Sequence, residues 1–534
     1  MPGRLCSTSA LAALAGAPPT PEQLREAVRR DLLVEADERP TVGTGRVYRF
    51  KHVLIRDVAY STLPKAERAQ LHDRYGHWLE ASLGDRAAEL GDVIAFHAEQ
   101  AALLAREVDG EAAPALGRRA FDLLLKAADR AWRRDDTPAA VSLYDRSIRI
   151  AETIDTSPQE RLQAGGMAAL LHSFQEAEPW LPRVDELIEQ GRQLGPSETL
   201  AQLLMHRGFS LLQENLVPAR AHLAEALSVA RAFGDPETIA TVWRWSRMPE
   251  TWSGQLDEGE RVLTEAIAYE RANGLVRGRA ASLCGLAYLK TVRGQFSAAA
   301  ASLDEAAPLV EASRSRFQRA YRLASLALLA TAVGDRAEAL VFSTERLKDR
   351  EESGLRGEIA AGHWLLGQAL LGLANYEQAR EELERCIQFL DLTNRGQRPT
   401  VLAHLAQALL GLGQVVAAQS LVEQAETTML PWDAEAVMVI RTTAAQISAA
   451  LDDPAGAEAR FQGAIDGSAA TQFDLQTALA RLAFARFLVD RKRTDEARAQ
   501  LVAARGVFSD PLAFRRRDEI DALLHECELI NATG

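Results

Sequence analysis

The run Leu365-Leu366-Gly367-Gln368-Ala369-Leu370-Leu371-Gly372-Leu373-Ala374-Asn375-Tyr376-Glu377-Gln378-Ala379 decides the fold. Its direct reading is helix, tight turn, helix. Such a turn needs a residue that tolerates left-handed or capping geometry, hence Gly, Asn or Asp. Working outward, Gly254, Gly294, Gly334 and Gly413 lie 40, 40 and 79 residues apart, and Ala374-Asn375 falls midway in the longer gap. Asp452-Asp453 and Thr494-Asp495 continue the series, each about 40 residues further on. Every such point follows roughly 17 residues of apolar helical periodicity and precedes a second helical pattern that opens Ala-rich. The chain therefore repeats a helical hairpin.

Two antiparallel helices that cross closely need small residues where their backbones meet, a requirement that Gly285, Gly367, Ala299 and Ala379 suit. A hairpin of this size cannot bury its apolar faces alone, so neighbours must stack into a superhelix with a concave surface. The residues Leu366-Gly367, Tyr376, Ala379 and Leu383 follow the spacing of the tetratricopeptide repeat, which this segment resembles. The unit here is about 40 residues, longer than the usual tetratricopeptide unit, so its helices are extended by a turn or so. The expected fold is all-α: a tetratricopeptide-like α-solenoid of about ten hairpins between Ala115 and Asp510, with a capping helix from Pro511 to Ile530. The expected domains are 1–110, 111–510 and 511–534.

Bulk composition agrees. A chain of 534 residues is too long for one compact core. Its 47% hydrophobic and 25% charged content is that of a folded protein, and the dominance of Ala and Leu favours helix. Only six of the 61 basic residues are Lys. The net charge of −13 and pI near 5.4 disfavour a phosphate backbone as partner. Arg491-Lys492-Arg493 and Arg515-Arg516-Arg517 are short, are followed by Asp or Glu, and read as solvated helix ends. Cys6, Cys284, Cys386 and Cys527 are scattered, forming neither a disulfide framework nor a zinc signature, which suits a reducing cytosol. His72 and His77 stand five apart rather than four, so they read as residues of a partly exposed helix, and no metal site is expected. Pro399 to Val422 lacks charge, yet His404, three Gln residues and Gly411-Leu412-Gly413 make it a buried hairpin. Arg4 and the stretch Leu11 to Ala17 resemble a signal peptide with too short an apolar core, so a cytoplasmic location is expected.

Residues 1–110 fall outside the repeat. Glu22 to Leu33 reads as an amphipathic helix, and Leu32-Leu33-Val34 leads into a turn-rich stretch, Glu38 to Gly45. Val47-Tyr48-Arg49-Phe50 is short and β-prone, and strand is expected there alone. His52 to Thr62 and Lys65 to Leu83 are helical, parted at Pro64. Together they outline a winged-helix-like module. The string Tyr48 to Leu63, followed by Arg68, Leu71, His72 and Trp78-Leu79-Glu80, resembles the segment that closes the nucleotide-binding part of bacterial STAND-type signalling ATPases. In that family it precedes a long tetratricopeptide region, and many members carry a cyclase or LuxR-type DNA-binding domain. No GxxxxGK[ST] occurs here and no Lys follows a Gly, so ATP hydrolysis is not carried over and no cofactor is expected. The resemblance implies the regulatory half of such a protein, whether as a split gene product, a mis-assigned start or a degenerate paralogue.

The expected function is therefore non-catalytic: binding of a protein or peptide partner, with a small-molecule effector as the other class of ligand. No GxSxG, HExxH or GxGxxG after a strand is present. The alternative is a transcriptional regulator using the N-terminal module. From Thr20 to Leu83, 11 Lys plus Arg stand against 10 Asp plus Glu, a net of +1, where DNA-reading domains present a basic face. Neither nucleic acid nor membrane is expected as a partner. The first helix of each hairpin lines the concave face in this repeat class, and register puts Arg244, Trp252, Tyr288, Tyr321, Trp364 and Gln407 there. Arg and aromatic side chains commonly carry binding energy. Trp243, Trp245 and Trp364 equally suit packing between hairpins.

Overall fold

The structure, a computed structural model, describes residues 5–109, 114–393 and 395–533. Arg4 and the 110/111 boundary lie outside the described residues. The chain divides into two compact units, Met1–Ala168 and Ala169–Gly534.

The first unit opens with a three-stranded antiparallel sheet of order β1-β3-β2, made of β1 (Leu5–Ser7), β2 (Leu33–Ala36) and β3 (Val47–Phe50). Strand is thus not confined to Val47–Phe50. The helix expected to reach Leu33 ends at Arg29, because Asp31 turns left-handed (φ 59) and frees Leu33 and Val34 to pair with β3. Helices Val53–Thr62 and Lys65–Leu83 follow, and Gly91–Asp109 packs on the latter. His72 is not on a partly exposed face: it is 3% exposed because it faces His97 on Gly91–Asp109. The two Nδ1 atoms are 2.9 Å apart and the Tyr60 hydroxyl is 2.9 Å from His72 Nε2. Both ring nitrogens of His72 are therefore engaged, Nδ1 with His97 and Nε2 with the Tyr60 hydroxyl. Burial pulls the two imidazoles down, to about 4 for His72 and about 3 for His97.

Ten helical hairpins succeed one another among the described residues: 114–151, 158–194, 198–233, 236–272, 276–313, 316–351, 356–390, 398–428, 434–467 and 474–507, numbered one to ten below. Helix Phe514–Thr533 ends the chain. The turns carry the expected conformation. Gly254, Gly294, Gly334, Ala374, Gly413, Asp452 and Lys492 all have φ between 56° and 85°, in steps of 39 or 40 residues. The last turn falls at Lys492 rather than Thr494-Asp495, because Asp495 and Glu496 occupy the first turn of the next helix, where acidic side chains meet the positive end of the helix dipole. Within hairpin seven, a Cβ on Gly367 would lie 2.7 Å from Leu383 Cγ, and Ala379 and Leu383 are fully buried. The uncharged stretch from Pro399 is hairpin eight, turning at Gly413. No described helix is long and apolar enough to cross a membrane.

Inside the second unit the superhelix closes on itself. Gln175 Nε2 donates to Gly354 O (2.9 Å), Trp432 Nε1 to Leu212 O (2.9 Å), and Gln472 N to Gly254 O (3.1 Å). Ser297 Oγ bonds Asp510 (2.6 Å), and Phe296 stacks on Phe508 at 6.0 Å. These partners are 179 to 220 residues apart, so hairpins five positions apart touch along one edge. Arg515-Arg516-Arg517 belong to this closure and are not free helix ends. Arg515 pairs with Asp335 (2.8 Å), Arg516 donates to the carbonyls of Thr331 and Ala332, and Arg517 to those of Phe508 and Asp510.

Candidate binding interior of the second unit

Five of the six sequence-selected residues stand on the first helices of hairpins four to eight, Trp252 ends the short helix Met248–Trp252 of hairpin four, and each of the six is half-buried. Three of them converge. Gly285 leaves the space: a Cβ there would come within 3.1 Å of Arg247 Nη2 and 3.4 Å of the Tyr321 hydroxyl. Arg244 and Arg247 both lower the pKa of that hydroxyl against the burial that raises it. Tyr288 points to the same region, where its hydroxyl donates to Glu435 Oε2 (2.8 Å) on hairpin nine, and Gln476 Nε2 donates to Glu435 Oε1 (2.9 Å). The Tyr288–Glu435–Gln476 link spans the interior from hairpin five to hairpins nine and ten. Burial, aided by the Glu435 charge, drives the Tyr288 hydroxyl well above its ordinary value. Burial also pushes Asp433, the N-cap of the Glu435 helix, up to about 7.

The other three selected residues do not join them. Trp252 packs with Phe209 and Met248 around Leu211, Leu212 and Ala219. Trp364 donates from Nε1 to His404 Nδ1 (3.2 Å) between hairpins seven and eight. Gln407 Nε2 donates to Thr443 Oγ1 (2.8 Å) between eight and nine. Trp243 and Trp245 make edge contacts to Tyr269 and Phe209, at 5.9 and 5.1 Å.

Several charged residues of the interior were not selected from sequence. Arg247 is 6% exposed; its Nη1 reaches Thr251 Oγ1 (3.2 Å), its Nε has no partner, and it makes no ion pair among the described residues. Glu270, fully buried, binds Arg244 Nη1 (2.8 Å) and Ser282 Oγ (3.0 Å) through Oε1, while Oε2 stays unpartnered. Burial raises the Glu270 carboxyl and Arg244 opposes it. The signal that finds such residues is the 40-residue register of the second helices. Leu223, Leu263, Leu303 and Leu383 occupy one core position; Ala226, Ala266, Ala306 and Cys386 a second; Ala230, Val310 and Leu390 a third. Hairpin six places Ser343, Arg346 and Arg350 at those three, and hairpin four places Glu270 at the third.

Neither a protein-family model nor a curated protein matches the sequence. Among solved structures, a Rap protein complexed with competence and sporulation factor is similar at a TM-score of 0.42 and 12% identity, over 76% of this chain and 99% of that one. A STAND protein with a tetratricopeptide repeat sensor from Pyrococcus horikoshii gives 0.35 and 13%, over 86% of this chain and 60% of that one. A tetratricopeptide repeat protein from Parabacteroides merdae gives 0.34 and 17%, over 54% and 98%. Likeness at this level bears on neither ligand nor activity.

Proposed function

We propose that this chain is a non-catalytic regulator whose second unit holds a peptide segment of a protein partner in its interior, as the regulatory half of a STAND-type signalling system. The observation that carries this reading is the group around Arg247. A chain of net charge −13 places Arg244 and Arg247 inside, beside two tyrosines and the Glu435 carboxylate. A buried guanidinium without a carboxylate is costly to the isolated protein, and a ligand that supplies the partner removes that cost. Donors and acceptors both face this interior, which suits a peptide carrying both backbone and charged groups. In the first unit, helix Val53–Thr62, which belongs to the STAND-like string, exposes Val53, Leu54 and Val58 at 47, 71 and 62%. That apolar stripe supports a role in contact with another protein surface.

The test is co-purification of tagged full-length chain from its own cells, with partners identified by mass spectrometry, for wild type, Arg247→Gln and Tyr288→Phe. Specific capture that falls at least about tenfold in both variants, with melting temperatures kept, supports the interior as the site. Capture unchanged in both variants sinks it. Arg244→Ala is a poorer probe, because it strands Glu270 without its cation, which costs about 3–5 kcal/mol of stability.

A further inference from the structure

We propose that hairpins six and seven enclose a site for one oxyanion, a carboxylate or a phosphate, held by Arg346 and Arg350; this goes beyond the partner reading and does not depend on it. The case begins with the register. Arg346 and Arg350 replace Ala, Cys, Val or Leu of the neighbouring hairpins at two core positions one helical turn apart. Four residues along a helix put both side chains on one face. They are 5% and 1% exposed, and Arg350 is among the largest fully buried side chains of the chain.

Their bonding is incomplete. Arg346 Nη2 donates to Glu358 Oε2 (3.0 Å) and Nη1 to the Glu358 carbonyl (3.2 Å), but its Nε is unpartnered. Arg350 leaves both Nε and Nη2 without an acceptor and makes no ion pair among the described residues. Glu358 thus pairs with Arg346 alone, and the Arg350 charge has no carboxylate partner among the described residues. Arginine cannot shed its proton to relieve this. The ring of Phe317 covers a face of Arg350, with the guanidinium carbon 5.6 Å from its centroid, and what lacks a partner is the in-plane edge formed by Nε and Nη2. A planar two-nitrogen edge matches the two oxygens of a carboxylate or phosphate better than it matches a spherical ion. Glu358, the carboxylate on Arg346, is 36% exposed through its side chain.

The experiment uses the full chain in Tris chloride, melted with increasing inorganic phosphate or sodium acetate, against sodium chloride at matched ionic strength. The melting temperature is expected to rise with the logarithm of phosphate or acetate concentration and not with chloride. A response to phosphate alone identifies a phosphate as the occupant, and a response to acetate alone a carboxylate. Arg350→Leu, the residue found at the same position in hairpin seven, should abolish the response and melt at or above wild type in plain buffer, since it removes a buried unpaired charge. Arg350→Lys keeps the charge but loses the two-nitrogen edge, so the concentration giving half the shift should rise by roughly tenfold. No response beyond chloride in the wild type overturns the proposal. So does an unchanged response in Arg350→Leu or Arg350→Lys. Because the readout needs no protein partner, either failure leaves the peptide-binding reading standing.

Discussion

Gly294→Ala measures how firmly one turn of the superhelix rests on the next. Gly294 has φ +73°, and a Cβ there would lie 2.7 Å from Val507 Cγ1 and 3.3 Å from the Val507 carbonyl, on hairpin ten. Two costs follow. Left-handed backbone costs a residue bearing a Cβ about 1–2 kcal/mol. Forcing a methyl against the branched Val507 side chain adds about 1–3 kcal/mol, as overpacking does in cores. Gly413 isolates the first cost: its φ is +76°, yet nothing stands within 4 Å of its Cβ position. Gly413→Ala should therefore cost about 1–2 kcal/mol and Gly294→Ala about 2–5 kcal/mol. Urea and thermal melts followed by circular dichroism give the comparison; extrapolated to a unit of this size, each kcal/mol moves the midpoint by about 1–2 °C. Val507→Ala removes Cγ1, so in the double variant with Gly294→Ala the two penalties should fall short of additive by about 1–2 kcal/mol. Equal costs at Gly294 and Gly413, within about 0.5 kcal/mol, together with additivity in the double variant, would refute the contact between turns.

Three further outcomes are expected. Leu383→Ala opens a cavity against Gly367 in a fully buried position and should cost about 2–5 kcal/mol with helix content unchanged in the native state, read by urea denaturation. Cys284, Cys386 and Cys527 are buried, and burial raises each thiol, Cys284 to about 12; a disulfide reagent at pH 8 should leave them unlabelled until urea unfolds the chain, and prompt native labelling would contradict their placement. The two units should respond oppositely to pH. The folded-state pKa values of His72 and His97 lie below the ordinary 6.5, so the first unit keeps its stability above about 6.5 and loses it as pH falls towards about 4, a dependence that His97→Gln should flatten. Asp433 is raised instead, so its contribution is fully present below about 4 and is lost as pH rises through about 7. Asp433→Asn, which keeps the N-cap to the Ala436 amide, should remove that second slope from the melting profile.

The hairpins were legible because a turn between long helices needs one left-handed residue at a fixed interval, and that need survives where the residue is not Gly. Ala374, Asp452 and Lys492 adopt it because the flanking helices, locked by neighbours, leave no other path. The sheet was legible only in part. β1 and β2 are three and four residues long, too short to show a period, and Leu5 finds its partner at Arg49 through tertiary structure alone. The interior divides in the same way. A rule that looks for Arg and aromatic residues on first helices finds Arg244, Tyr288 and Tyr321, and with equal weight finds Trp252 and Trp364, whose rings fill gaps between hairpins. Local sequence does not separate an aromatic that binds from one that packs, because both lie on the same helix face.

The charged core residues show what a repeat offers that a single domain does not. In an isolated helix, Arg346 and Arg350 read as an exposed basic pair, since arginine is rarely buried unless paired. In a repeat, four other hairpins state what the same positions hold when packing decides, and apart from Glu270 the answer is Ala, Leu, Val or Cys. The departure at hairpin six is therefore informative without any relative of the chain. It sets two guanidiniums into a site whose equivalents bury apolar side chains, beside a single carboxylate. The same subtraction picks out Glu270, which the structure pairs with Arg244. Stability favours the apolar residue at each of these positions, because exchanging a buried charge for a well-packed side chain is neutral or stabilising. Ser343, Arg346 and Glu270 each have a partner within the chain, whereas Nε and Nη2 of Arg350 have none, so hairpin six, like hairpin four with its unpaired Arg247, carries a buried cation that points to something outside the chain.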